Sequence, residues 1–284
     1  MSEHDAIRWS VITVSYNNAA AMRASYGRPV PADVEWIVVD NASSDDSADV
    51  AEELGATTVL RLDTNIGFGR ANNEGFKIAR GEYVVFANPD LAVDFATLST
   101  LAAAIERDRG LVAPQLLHPD GEEQPNGRGA PSLTNKVLSR LRVGFVRRSY
   151  YIVAEPDEER YVSWAIGAVV AARADTFRTL GQDGPWDPRF FVYYEDSDIA
   201  LRAWQSGLTV RVIGSVRWTH LWARDTAKKF RLRPWILEWG GMRVFYGTWP
   251  LFILGSGGRR WRRLRREYWG RVVEPRATEG EGER

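Results

Sequence analysis

The chain has 284 residues, 44% of them hydrophobic and 26% charged, with 37 basic against 37 acidic side chains and no cysteine. That length can bury one large core, or a core plus an appendage; the missing cysteines exclude disulfides and thiolate metal sites, as suits a reducing compartment. Neutrality overall argues against nucleic acid as a partner, yet it conceals a split: Arg217–Val273 holds 14 Lys/Arg against three Asp/Glu, so a basic segment follows an acidic body.

Residues 1–8 read as a polar tail with no signal peptide. Trp9–Asn17 is a run of β-branched and apolar residues ending in polar ones, the pattern of a buried strand. A short Ala-rich helix follows, then a second buried strand, Glu35–Asp40. Asn41-Ala-Ser-Ser-Asp-Asp-Ser47 is a turn and capping cluster that feeds a helix over 48–54. A third strand spans 57–62, and the glycine loop Asn65-Ile-Gly-Phe-Gly-Arg70 leads into a helix over 71–79. The fourth strand, Glu82–Ala87, stops at Asn88-Pro89-Asp90.

Such strands alternating with helices predict an α/β fold, a doubly wound, mainly parallel sheet flanked by helices. Ligands of these sheets sit at the carboxyl ends of the strands, where Tyr16, Asn17, Asp40, Asn88 and Asp90 fall.

A helix over 94–108 and a short strand at 111–113 come next. Residues 118–160 lose periodicity apart from a basic helical stretch near 135–143, and a loop that long in a compact domain is functional or mobile. Strands are predicted over 163–171 and 209–213. The organisation is then a catalytic body over 9–230, a basic helical extension over 231–273 and a disordered Gly/Glu-rich tail over 274–284. No apolar run is long enough to cross a bilayer.

Between the last two strands, Phe190-Phe191-Val-Tyr-Tyr194 runs into Glu195, Asp196 and Asp198. Ile199, Ala203 and Trp204 then share a helical face, and Gly207 is the stop signal. Asp196 sits at a helix N-terminus, which favours an ionised carboxylate able to take a proton from a hydroxyl. Asp198 reads as a surface i,i+4 partner of Arg202. The loop 65–70 lacks the Gly-Lys-Ser/Thr of a P-loop and the third glycine of a dinucleotide fingerprint, so it is a turn or, with Arg70, an anion site. Asn88-Pro89-Asp90 suits a type I turn and equally a divalent metal held by Asp90. His220, in Trp-Thr-His-Leu-Trp, reads as a packed residue or a ligand.

The order of these pieces resembles the inverting GT-A glycosyltransferases of family 2, in particular their rhamnosyltransferase-like branch of bacterial cell-surface polysaccharide synthesis. The resemblance covers about residues 9–225 and is carried by Val14-Ser-Tyr-Asn-Asn18, Val39-Asp-Asn-Ala-Ser-Ser44, Asn65–Asn73, Asn88-Pro-Asp90, Trp164-Ala-Ile-Gly-Ala168 and Tyr194-Glu-Asp-Ser-Asp198. It implies a GT-A fold and a TDP- or UDP-linked sugar donor. Thr13, Tyr16, Asn17, Asp40 and Asn41 would form the nucleobase and ribose pocket; Asn65, Gly67, Arg70 and Asn88 would contact the rest of the nucleotide sugar. It further implies Mn²⁺ or Mg²⁺ on Asp90 and His220, Asp196 as catalytic base, and Trp164, Gly167 and Glu195 on the side of a saccharide or lipid-linked acceptor. One departure is Asn88, where the family's metal motif has an aspartate.

The arginine-rich stretch 259–266 reads as a solvated helix face or as the attachment of a cytoplasmic enzyme to an anionic membrane surface, with Trp249, Phe252 and Trp261 inserted at the interface. Competing readings are a sugar nucleotidyltransferase, for which Asn17-Asn18-Ala-Ala-Ala-Met22 offers no triphosphate loop, and a non-catalytic saccharide-binding protein.

Overall fold

The computed structural model describes residues 7–140, 144, 149–181, 184–221, 232–253 and 258–273. The expected tail 274–284, most of the tail 1–8, and Trp222 lie outside these. The strands in chain order are β1 Trp9–Ser15, β2 Val34–Asp40, β3 Thr58–Arg61, β4 Tyr83–Ala87, β5 Leu91–Ala92, β6 Leu111–Leu117, β7 Glu123–Gln124, β8 Gly127–Arg128, β9 Tyr151–Ile152, β10 Glu159–Tyr161, β11 Trp164–Ala165, β12 Val169–Arg173 and β13 Val210–His220.

β1 and β2 are buried along their whole length: Val11, Ile12, Val14, Trp36, Ile37, Val38 and Val39 put apolar side chains on both faces, which a sheet covered on both sides requires, and the polar Ser10, Thr13 and Glu35 are hydrogen-bonded within it. They pair in parallel with each other, and β1 also pairs in parallel with β4, and β2 with β3. The main sheet runs β10-β13-β6-β12-β4-β1-β2-β3. The chain therefore winds outward from β1 to β3 and returns to lay β4 on the other side of β1. β12 then enters antiparallel between β4 and β6. Three short strands, β11-β8-β9, form a second sheet.

The helix Phe68–Ile78 lies close on β1, and a Cβ on Gly75 would stand 2.6 Å from Ile12 Cγ2. Its other contacts tie down the chain that precedes Glu195. Asn73 Nδ2 donates to the Trp186 carbonyl at 2.7 Å, and the Trp186 N–H donates back to Asn73 Oδ1 at 3.1 Å. Phe68 N–H donates to the Phe191 carbonyl, and Arg70 Nε to that of Pro188. The Trp186 ring meets Phe86 and Phe68 edge to face at 5.3 and 5.6 Å, a favoured geometry for aromatic pairs.

Several expected elements differ. The helix begins at Phe68 rather than 71, so Arg70 belongs to its first turn. The predicted strand 163–171 is two strands, parted at Ile166–Ala168 where the chain turns to the cavity described below. β6 extends to Leu117, and β13 continues past an irregularity between Ile213 and Arg217, so His220 ends the strand instead of following it. The aperiodic region holds the helix Leu133–Arg140 and short strands of both sheets. Two-residue strands are too short to show a period.

The basic segment is packed against the body. Helices Leu232–Thr248 and Gly258–Glu267 leave Phe245, Phe252, Trp261 and Trp269 buried. Trp249 and Phe252 each lie edge to face with Trp261. Phe252 and Trp261 are thus core residues and Trp249 is internally hydrogen-bonded, which overturns their expected insertion into lipid. Asp198 is likewise no surface residue. It is fully buried, with Oδ2 accepting from Arg202 Nε at 2.7 Å and Oδ1 from Trp249 Nε1 at 2.8 Å. Removing one member of a buried charge pair strands the other. We expect Asp198→Ala to destabilise the fold by about 3 kcal/mol, read as a lower urea midpoint, with Asp198→Asn losing less; equal midpoints for all three proteins would contradict this.

Candidate active site

A cavity of about 890 Å³ opens where the sheet order reverses between β1 and β4. Strand ends diverge at such a point and leave room for a ligand, and the volume lies within the usual range for small-molecule sites. Three groups of side chains line it.

The first group surrounds the glycine loop. Tyr16, at the end of β1, is 41% exposed and lines the cavity with Asn18, Asn41, Asn65 and Gly67. Asn41 Nδ2 donates to Asn65 Oδ1, while Asn41 Oδ1 accepts from the Ile66 N–H at 2.9 Å, so two amides fix the loop. Gly67 has φ +91°, and a Cβ there would sit 2.6 Å from the Phe191 carbonyl oxygen; only glycine serves.

Four expected nucleotide contacts stand elsewhere. Thr13 is buried inside the sheet, accepting from Trp36 Nε1 and sharing a hydrogen bond with Tyr26. Asn17, at φ +57°, accepts from Ser44 N–H and joins the end of β1 to the turn after β2. Arg70 is turned to Pro188 and does not line the cavity. Asp40 Oδ2 accepts from Ser43 N–H, while its Oδ1 is closed off from solvent without a hydrogen bond.

The second group is Asn88, Pro89, Asp90 and His220. Antiparallel pairing of β5 with β13 sets His220 opposite Leu91, and the Leu221 N–H donates to the Asp90 carbonyl. This brings His220 Nε2 to 3.3 Å from Asp90 Oδ1. The other ring nitrogen, Nδ1, lies 2.9 Å from Gln124 Oε1. An amide oxygen only accepts, so the proton belongs on Nδ1 and the lone pair of Nε2 faces the carboxylate. Asp90 Oδ1 is itself buried and makes no hydrogen bond. Two such donors, with the imidazole held from behind by Gln124, fit a divalent cation that takes its remaining ligands from phosphate and water. Among the described residues no group of three or more protein ligands meets.

The third group is Trp164, Gly167, Glu195 and Asp196, together with Lys136, Leu237 and Glu238, which sequence reasoning did not single out. Tyr193 and Tyr194 both take positive φ, 71° and 73°, a strained conformation costing on the order of 1 kcal/mol or more each. It turns the chain abruptly into the helix Glu195–Gln205. Asp196 is thereby held as an acceptor: Oδ1 takes the Ser197 N–H at 2.6 Å and the Ser197 hydroxyl, and Oδ2 takes the Gly167 N–H at 3.1 Å.

Burial raises the Asp196 carboxyl above its ordinary range, opposed by Lys136 and these donors. Glu195 is pushed up to about 8 by burial and by Asp196 beside it, and its Oε2 has no hydrogen bond. Of the two adjacent carboxyls, Asp196 is the one arranged to carry the charge, and Glu195 the one to keep a proton.

A cavity at the strand-order reversal is where doubly wound α/β sheets, the GT-A fold among them, bind their ligands. The sequence profile described as Glycosyl transferase family 2 matches residues 10–153, just over half the chain, and the chain belongs to that family. It is a glycosyltransferase. Over 242 aligned residues it is 26% identical to the N-acetylglucosaminyl-diphospho-decaprenol L-rhamnosyltransferase of Mycobacterium tuberculosis, covering 77% of each protein. The fold matches the crystal structures of GalNAc-T7 with UDP, GalNAc and Mn²⁺ (TM-score 0.57, 18% identity, 94% of this chain and 56% of that one) and of S. aureus TarS 1-349 (TM-score 0.51, 17% identity, 84% and 72%). No helix among the described residues is long and apolar enough to cross a membrane.

A protonated Glu195 makes stability depend on pH. The unfolded chain releases this proton near 4.5 and the native state holds it to about 8, so stability falls as pH rises across that window. Glu195→Gln should flatten the melting temperature between about pH 5 and pH 8 relative to wild type. Parallel curves would show that Glu195 is ionised in the fold.

Proposed function

We propose that this glycosyltransferase is inverting and metal-assisted, and that it moves a hexose, with rhamnose the leading candidate, from a TDP- or UDP-linked donor to a hydroxyl of a lipid-linked saccharide in cell-surface polysaccharide synthesis. The observation that carries the reading is that Asp196 and the Asp90–His220 pair line one cavity. The similarity to the mycobacterial rhamnosyltransferase supports the choice of sugar and acceptor.

Tyr16, Asn41, Asn65 and Gly67 would hold the nucleotide. Mn²⁺ or Mg²⁺, held by Asp90 and His220, would act as a Lewis acid on the leaving diphosphate. Asn88 leaves this site one carboxylate poorer than the family motif. Asp196 removes the proton of the acceptor hydroxyl as its oxygen forms the new bond to the anomeric carbon and the nucleoside diphosphate departs. Protonated Glu195 donates a hydrogen bond to the acceptor and leaves a single anionic base, as a single displacement needs. Family membership sets aside the nucleotidyltransferase alternative.

The test is release of nucleoside diphosphate from a panel of sugar nucleotides with a lipid-linked N-acetylhexosamine acceptor, with and without chelator. Asp196→Asn should lower turnover by roughly 10²–10⁴-fold while donor binding persists. Near-wild-type turnover in that variant would refute the base.

The same acceptor class places the enzyme at a membrane. Helix Gly258–Glu267 exposes six arginines, and Ile236, Trp239 and Leu251 are each at least 60% exposed. These, in place of Trp249, Phe252 and Trp261, are the residues that would meet an anionic cytoplasmic leaflet. In co-sedimentation, vesicles with anionic lipid should retain the protein and release it with salt. Equal retention by neutral vesicles, or none by either, removes the electrostatic anchor.

A further inference from the structure

Asp90, Asp196 and Glu238 give the cavity an acidic lining, and among the described residues one lysine or arginine lines it with them, Lys136. Lys136 is the fourth residue of the helix Leu133–Arg140. Its ammonium lies 3.4 Å from the centre of the Tyr194 ring, 5.4 Å from that of Trp164 and 6.0 Å from that of Phe245. Aromatic faces at these distances attract a cation and fix its place.

The ammonium is near enough to favour the ionised forms of both Glu195 and Asp196, so it belongs to the wall that carries the base. Arg128, against the Trp164 ring on its own account, is no rival: it is turned into the protein and donates to the Pro125 and Gly127 carbonyls.

An acceptor with a phosphate or diphosphate group would be repelled by this lining unless a cation met it, since like charges brought together in a site are strongly unfavourable. The donor's diphosphate has its own place at Asp90 and His220. We propose that Lys136 is an anion subsite on the acceptor side, binding a phosphate or diphosphate carried by the acceptor within a sugar ring's length of the hydroxyl that Asp196 deprotonates. This rests on the acceptor-side reading of Asp196 given above. A lysine serving only to tune Asp196 would act alike on every acceptor, whereas a subsite discriminates charged from neutral ones.

The experiment titrates two probes into the protein with UDP and Mn²⁺, following tryptophan fluorescence: an alkyl diphosphate, and the alkyl β-glucoside of the same chain length. Wild type should bind the diphosphate more tightly. Lys136→Met should weaken it roughly tenfold or more and leave glucoside binding unchanged, and Lys136→Arg should retain most of the affinity. Equal affinity for the diphosphate in wild type and Lys136→Met, or equal losses for both probes, overturns the subsite. The titration needs no turnover, so failure of the base assignment in the Asp196→Asn assay is read separately.

Discussion

The site depends on one docking interaction, the grip of the helix Phe68–Ile78 on the chain 186–191. Asn73 satisfies both backbone groups of Trp186, and the Trp186 ring is wedged among Phe86 and Phe68. Arg70 and the Phe68 N–H each hold a further carbonyl of the same segment. This over-determination is what lets Tyr193 and Tyr194 persist at positive φ, since strained backbone survives only where its surroundings leave no relaxed alternative. The strain in turn swings Glu195 and Asp196 into the cavity. The glycine loop therefore does two jobs: one edge shapes the cavity wall at Asn65 and Gly67, and the helix it opens fixes the wall that carries Asp196.

The same economy governs the charges. Two adjacent buried carboxyls cannot both ionise cheaply, and the fold separates them by unequal hydrogen bonding. Asp196 receives three donors and Glu195 Oε2 none. The result is an acid and an anion side by side on one turn of helix. At the Asp90–His220 pair the reverse holds: an acceptor nitrogen faces an acceptor oxygen, which is tolerable where a cation comes between them.

The sequence made the first half of the sheet readable because β1, β2 and β4 are mainly apolar, β-branched runs of five to seven residues, a signal that short strands lack. Asn65, Gly67, Asp90, Trp164, Gly167, Asp196 and His220 were legible as an ordered set, and they line one cavity. Other features needed partners far along the chain. Nothing local distinguishes an Arg70 that reaches a phosphate from one that reaches the Pro188 carbonyl 118 residues later. Asp198 and Arg202 have the spacing of a solvated pair, but Arg202 reaches the Leu180 and Pro185 carbonyls and Trp249, arriving from the basic segment, closes over Asp198. Lys136 sits in an aperiodic region, and no spacing links it to Asp196. Composition identified the basic stretch correctly but assigned its tryptophans to lipid, when hydrophobic residues there had a core to join.

The bond from the Trp249 indole to Asp198 also bears on how such enzymes diversify. The carboxylate it reaches lies two positions beyond Asp196, on the same helical turn. A trailing segment tied in this way is not an interchangeable module. Grafting the ending of one homologue onto the body of another would take the indole N–H away from Asp198 Oδ1 and strand a buried carboxylate oxygen unless the new ending brought its own donor.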